Sequence, residues 1–88
     1  LLFTACGGNV ESKLVGSWST REGGEADLTF FNNGSCEVAD TYGLGTWAVV
    51  NKDQLTVSDF YGETVVWKIV SISKNELVLD EGTLYRVD

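Results

Sequence analysis

Histidine is absent from this chain, and only six lysines and arginines stand against thirteen aspartates and glutamates. Without histidine there are no Ser–His or Cys–His nucleophile pairs, and the usual zinc ligand sets are missing. The shortage of basic residues leaves no positive stripe. A net charge of −7 repels phosphate backbones, so nucleic acid is not an expected partner. Direct adsorption to anionic lipid headgroups is disfavoured for the same reason. No apolar run approaches the ~20 residues that span a bilayer. Gly23-Gly24 and Gly43-Leu44-Gly45 are turn-like and lack phosphate-loop spacing. The carboxylates Glu22, Glu25, Asp27, Glu37, Asp40, Asp59, Glu63, Asp80 and Glu81 follow no calcium-loop pattern, and most fall at outward strand positions or turns. No enzyme, metal site or cofactor is expected. Helical periodicity is also missing, which excludes a parallel βαβ architecture.

What is present begins at the front. Leu1-Leu2-Phe3-Thr4-Ala5-Cys6-Gly7-Gly8 reads as the end of a bacterial lipoprotein signal sequence, with apolar residues, then small ones, then a cysteine. Ala5 and Thr4 suit the positions before the modified thiol, and Phe3 is tolerated there. Neither a starting Met nor a positively charged n-region precedes this stretch, so more chain is expected upstream. Cys6 is the expected lipidation site, and the two chains of a diacylglycerol suffice for stable anchoring. The expected location is the extracytoplasmic side of a bacterial membrane, in the cell envelope. Residues 1–5 are then a signal-peptide remnant, 6–13 a flexible tether reaching about 25 Å, and 14–88 a single domain. A lipidated Cys6 leaves Cys36 unpaired. Its place in Ser35-Cys36-Glu37-Val38 predicts a buried, inert thiol on a strand.

From residue 15 on, apolar and polar residues alternate in short runs broken by Gly, Asn and Asp. Strands are predicted near 15–20, 26–31, 35–40, 45–50, 54–58, 63–72, 76–80 and 83–87. Asn32-Asn33-Gly34 predicts a tight type I′ hairpin, with turns of the same kind at 51–53, 73–75 and 81–82. Segments 42–45 and 59–62 read as longer loops. Short connections point to an antiparallel meander of sequential neighbours. Eight such strands suit an all-β, up-and-down barrel, whose closure removes exposed edges. An open meander or a small β-sandwich is the alternative. The predicted inward set is Trp18, Leu28, Phe30, Cys36, Val38, Trp47, Val49, Leu55, Val57, Val65, Trp67, Ile69, Leu77 and Leu79. Ile72 breaks parity, which places a β-bulge between Ile69 and Ile72. In the last strand either Leu84 and Arg86 or Tyr85 and Val87 face inward.

Several motifs in this order carry a resemblance. Leu14-Val15-Gly16-Ser17-Trp18, Leu28-Thr29-Phe30 with Asn33-Gly34, Gly45-Thr46-Trp47, and Asn75-Glu76-Leu77-Val78-Leu79 span residues 14–87. With its Gly-x-Trp first strand, the chain resembles the small, calycin-like lipocalin domains of bacterial lipoproteins. The resemblance implies a minimal barrel in which Trp18 closes one end and stacks with Arg86 from the last strand. It also implies a non-enzymatic role, the binding of a small apolar or amphiphilic ligand. Full-length lipocalins are about twice as long and carry a helix after the barrel, so this barrel is short.

Trp18, Trp47 and Trp67 suit either core packing or an apolar pocket. Phe31, Tyr42, Phe60 and Tyr61 are the candidate recognition residues, because out-of-phase and loop aromatics form ligand or partner rims. The alternatives to ligand binding are a protein-interaction module, such as an inhibitor of a basic envelope enzyme, or a purely structural adaptor. The acidic surface suits a basic protein partner. A monomer is expected.

Overall fold

The computed structural model describes residues 5–87, with side chains from Val10 onward. Eight strands follow one helix: α1 (Ala5–Leu14), β1 (Gly16–Ser19), β2 (Leu28–Phe30), β3 (Ser35–Val38), β4 (Leu44–Val50), β5 (Gln54–Ser58), β6 (Thr64–Ile72), β7 (Glu76–Leu79) and β8 (Gly82–Val87). Each strand pairs antiparallel with the next, and β1 closes on β8 through Ser17–Val87, Trp18–Arg86 and Ser19–Tyr85. The all-β, up-and-down barrel is therefore closed, and neither an open meander nor a sandwich forms.

Alternation along the strands sets the interior. Leu28, Phe30, Cys36, Trp47, Leu55, Val57, Ile69, Leu77 and Leu79 are buried around the fully enclosed Trp18. Val70 forms the expected bulge: Ile69 pairs with Leu79 while Ser71 pairs with Val78, so one extra residue resets the parity. Ile69 and Ile72 can then both reach the core. The ambiguity in β8 resolves in favour of Leu84, which packs against the core, and Arg86, whose guanidinium carbon stands 4.3 Å from the centre of the Trp18 ring.

Two local expectations differ from the structure. The stretch read as a tether is helical from Ala5 to Leu14. Its small and polar residues hide an anchor: Leu14 is fully buried and Val10 packs on the core. Short helices gain most of their stability from such tertiary contacts. The Asn32-Asn33-Gly34 turn is not a type I′ pair, because only Gly34 takes a positive φ (90°). Gly34 N–H bonds Phe31 O at 3.2 Å, and Phe31 N–H bonds Ser35 O at 2.9 Å, closing a three-residue loop on a left-handed glycine. Consecutive positive φ values occur instead at Asn51 (55°) and Lys52 (70°). Leu1–Thr4, read as part of a signal remnant, lie outside the described residues, as does the Cys6 side chain.

Because neighbouring strands alternate in direction, the connections alternate between two barrel ends. One end receives α1 and the connections 31–34, 51–53 and 73–75. The other receives the connections 39–43, 59–63 and 80–81 and the two ends of 20–27, whose Glu22–Gly24 stretch runs alongside Asn75, Glu76 and Arg86.

Candidate functional site

The end next to α1 is closed by a clamp. Arg86 donates from Nη1 to Val15 O (3.0 Å), from Nη2 to Lys13 O (2.5 Å) and from Nε to Lys74 O (2.6 Å). It thus places a positive charge on carbonyls at the helix C-terminus, where a cation is favoured. Trp18 donates its indole N–H to Leu14 O at 2.9 Å, so both partners of the ring contact hold the same segment. Gly16 makes room for this. Its φ is +132°, and a Cβ there would run into Arg86 Nη1. Trp47 also plugs this half, tilted against Phe30 at 4.9 Å between ring centres and donating to Phe31 O at 2.8 Å.

The opposite end is open, and unequal strand lengths explain why. β6 runs nine residues and β7 only four. Asp80 N–H bonds Lys68 O at 3.0 Å, after which the chain turns back into β8. The first part of β6, Thr64–Trp67, therefore rises above the β7–β8 turn with a partner on its β5 side only. Val65 points inward yet is 44% exposed, and Trp67 is half-buried, because no strand pairs with this stretch on its β7 side.

The result is a cavity of about 660 Å³, within the range of roughly 300–1,000 Å³ usual for small-molecule sites. Leu28, Val38, Val57, Val65, Trp67, Leu79 and Leu84 form its apolar wall, and Thr20, Asp27, Asp59, Glu63, Glu81 and Thr83 stand at its polar edge. A second groove of about 460 Å³ lies between α1 and the β2–β3 hairpin, where Glu11, Ser12 and Asn32 outnumber Val15 and Trp47. Its polar lining makes it the poorer host for an apolar molecule.

Two carboxylates at the mouth are fixed by local structure. Asp27 Oδ2 accepts from Thr20 N–H (2.9 Å), the Thr20 hydroxyl (3.2 Å) and Ser19 Oγ (3.4 Å). The Thr20 backbone bond leads in holding its carboxyl below the ordinary value, and the Thr20 hydroxyl follows. Partial desolvation opposes them, while Ser19 and Arg21 add smaller downward pulls. Asp59 Oδ1 accepts from Tyr61 N–H (2.9 Å) and Glu63 N–H (3.0 Å), shaping the tip of the β5–β6 hairpin.

The candidate recognition aromatics do not come together as one rim. Phe31 sits at the closed end, while Tyr42, Phe60 and Tyr61 belong to connections at the open end. There Phe60 and Tyr61 meet edge to face at 5.3 Å, and Phe60 covers Gly43 so tightly that a Cβ would collide with its ring. Tyr42 is 92% exposed. None of the four lines the cavity, although Phe60 and Tyr61 stand between its edge residues Asp59 and Glu63. The sequence placed Val57, Val65 and Leu79 facing inward, left Trp67 between core packing and an apolar pocket, and put most carboxylates at outward strand positions or turns. The signal that joins them into a site is the mismatch between a long sixth and a short seventh strand.

Cys36 is fully buried and free, and burial leads in pushing its thiol up. Its Sγ lies 3.5 Å from Thr46 O and 3.8 Å from Ser58 O. Such a thiol is structural. Among the described residues no group of carboxylates and thiols is arranged to hold a metal ion.

Comparison with known proteins gives one match. The family model of the lipocalin-like domain covers residues 5–79, from the start of α1 through β7. No curated protein and no solved structure matches the chain.

Proposed function

The chain belongs to the lipocalin-like domain family, and from that premise we propose that it takes a small apolar or amphiphilic molecule into the open end of its barrel. Lipocalin-like domains are in general non-enzymatic binding proteins, and the fold suits small ligands. The observation that carries the reading is the apolar cavity with Trp67 in its wall, left open by the short seventh strand. The clamped end gives this cavity a floor, built from Trp18 and the core residues packed around it.

A lipid anchor on Cys6 would hold this mouth near a bacterial membrane, in the cell envelope, where amphiphiles are concentrated. The motif Thr4-Ala5-Cys6-Gly7 supports that part of the proposal. Labelled fatty acid should enter the protein in its host and be lost on Cys6→Ser. Unchanged labelling would sink the anchor without touching the cavity.

Native mass spectrometry of the Cys6→Ser chain, incubated with a lipid and metabolite extract from its host, tests binding. A bound species of defined mass is expected, and it should disappear when Val57→Trp fills the cavity. Bare protein across the extract would count against the proposal. The acidic edge of the same mouth favours a second reading, a basic protein partner. Such a partner would associate faster at low ionic strength and leave the core tryptophans undisturbed.

A further inference from the structure

We infer that the ligand of this cavity is a cationic amphiphile: an apolar tail carrying an amine or quaternary ammonium head. The inference rests on the cavity-binding proposal above and goes beyond it by assigning the head group. The tail follows from the wall, where Leu28, Val38, Val57, Val65, Trp67 and Leu79 offer no charge and few hydrogen-bonding groups.

The head follows from the mouth. Asp27, Asp59, Glu63 and Glu81 line it, and none of the six basic residues does. Lys13, Lys52, Lys74 and Arg86 all belong to the closed end, and the latter's guanidinium is engaged with helix and turn carbonyls. Lys68 lies on the exposed outer face of β6. Arg21 does not line the mouth, but its charge reaches Asp27 as the weakest of the pulls on that carboxylate.

Two of these carboxylates are also pre-positioned. Asp27 uses Oδ2 and Asp59 uses Oδ1 for bonds to their own loops. Among the described residues, Asp27 Oδ1 and Asp59 Oδ2 accept no hydrogen bond, so each carboxylate is anchored through one oxygen and keeps the other for a ligand, with Arg21 acting on Asp27 through its charge alone. An anionic head would meet the like charge of four carboxylates around this opening, and a neutral head would forgo the attraction. Specificity of this kind comes as much from repulsion of the wrong head as from attraction of the right one.

The test uses the full chain carrying Cys6→Ser and three probes with the same twelve-carbon tail: dodecyltrimethylammonium, dodecyl maltoside and dodecanoate. Each is titrated below its micelle concentration while tryptophan emission is followed, with Trp67→Phe identifying the cavity signal. The ammonium probe is expected to bind at least about tenfold tighter than dodecanoate at low salt, an advantage that shrinks as salt is raised. In Glu63→Gln/Glu81→Gln the ratio of ammonium to dodecanoate affinity should fall severalfold, and an unchanged ratio would count against the cationic assignment. Equal or tighter binding of dodecanoate would overturn the cationic assignment and leave an apolar binding cavity in place. If no probe moves the Trp67 signal, the cavity proposal itself fails, and the assignment goes with it.

Discussion

Asp27 shows how one side chain at the mouth serves both fold and site. Its Oδ2 gathers Thr20 N–H, the Thr20 hydroxyl and Ser19 Oγ, and Asp27 N–H returns a bond to Trp18 O at 2.8 Å. These donors favour the ionised carboxyl, so its pKa falls below the ordinary 3.8 on folding. The sign of the linkage follows. A depressed folded-state pKa contributes stability above the unfolded value, and that contribution is lost as pH falls through the folded-state pKa. Asp27→Asn keeps an acceptor for Thr20 and removes the charge. The variant should be less stable than the parent at pH 7, and the gap should close as pH drops below 3.8, as urea melts across that range will show. At this scale much was legible in the sequence. Alternation marked Cys36 as buried, and the family resemblance paired Trp18 with Arg86. The turn at Asn32-Asn33-Gly34 was recognised, but its type was not, because hairpin type depends on strand register as well as on the residues in the turn.

The elements were legible wherever period-two alternation extended over several residues, and this held for all eight strands. Helix α1 was not, because Gly7-Gly8 and a mostly polar sequence have weak helical propensity. What stabilises it lies far away in sequence. Leu14 fills the floor of the barrel, and Arg86, at the far end of the chain, binds Lys13 O and Val15 O. No local pattern announces a cap supplied from β8. The planar guanidinium serves three carbonyls and the Trp18 face together, an arrangement a single ammonium cannot reproduce. Arg86→Lys should therefore destabilise the protein by about 1–3 kcal/mol, the scale of losing hydrogen bonds to a charged donor. Denaturant unfolding measures the loss. A value near zero would mean that α1 contributes little to the barrel.

For the whole molecule, charge follows the barrel axis. Asp27, Asp40, Asp59, Glu63, Asp80 and Glu81 lie in connections at the open end with Arg21 beside them, and Lys13, Lys52, Lys74 and Arg86 outnumber Glu11 and Asp53 at the closed one. Composition gave the net charge of −7 but not this polarity, which appears only once the strands alternate in direction. The same step turns an inward-facing Trp67 into a cavity wall. Such crowding of carboxylates costs the folded state some self-repulsion that the extended chain avoids. Screening reduces it: the Debye length falls from about 30 Å at 0.01 M salt to about 10 Å at 0.1 M. Raising sodium chloride over that range should therefore lift the melting temperature by about 2–4 °C, equivalent to roughly half a kcal/mol for a domain of this size. Glu63→Gln/Glu81→Gln should melt higher than the parent at low salt, and the two should converge as salt rises. Circular dichroism melts at both ionic strengths suffice. A melting temperature indifferent to salt would show that the mouth carboxylates lie too far apart to repel, and their pull on a cationic head would weaken accordingly.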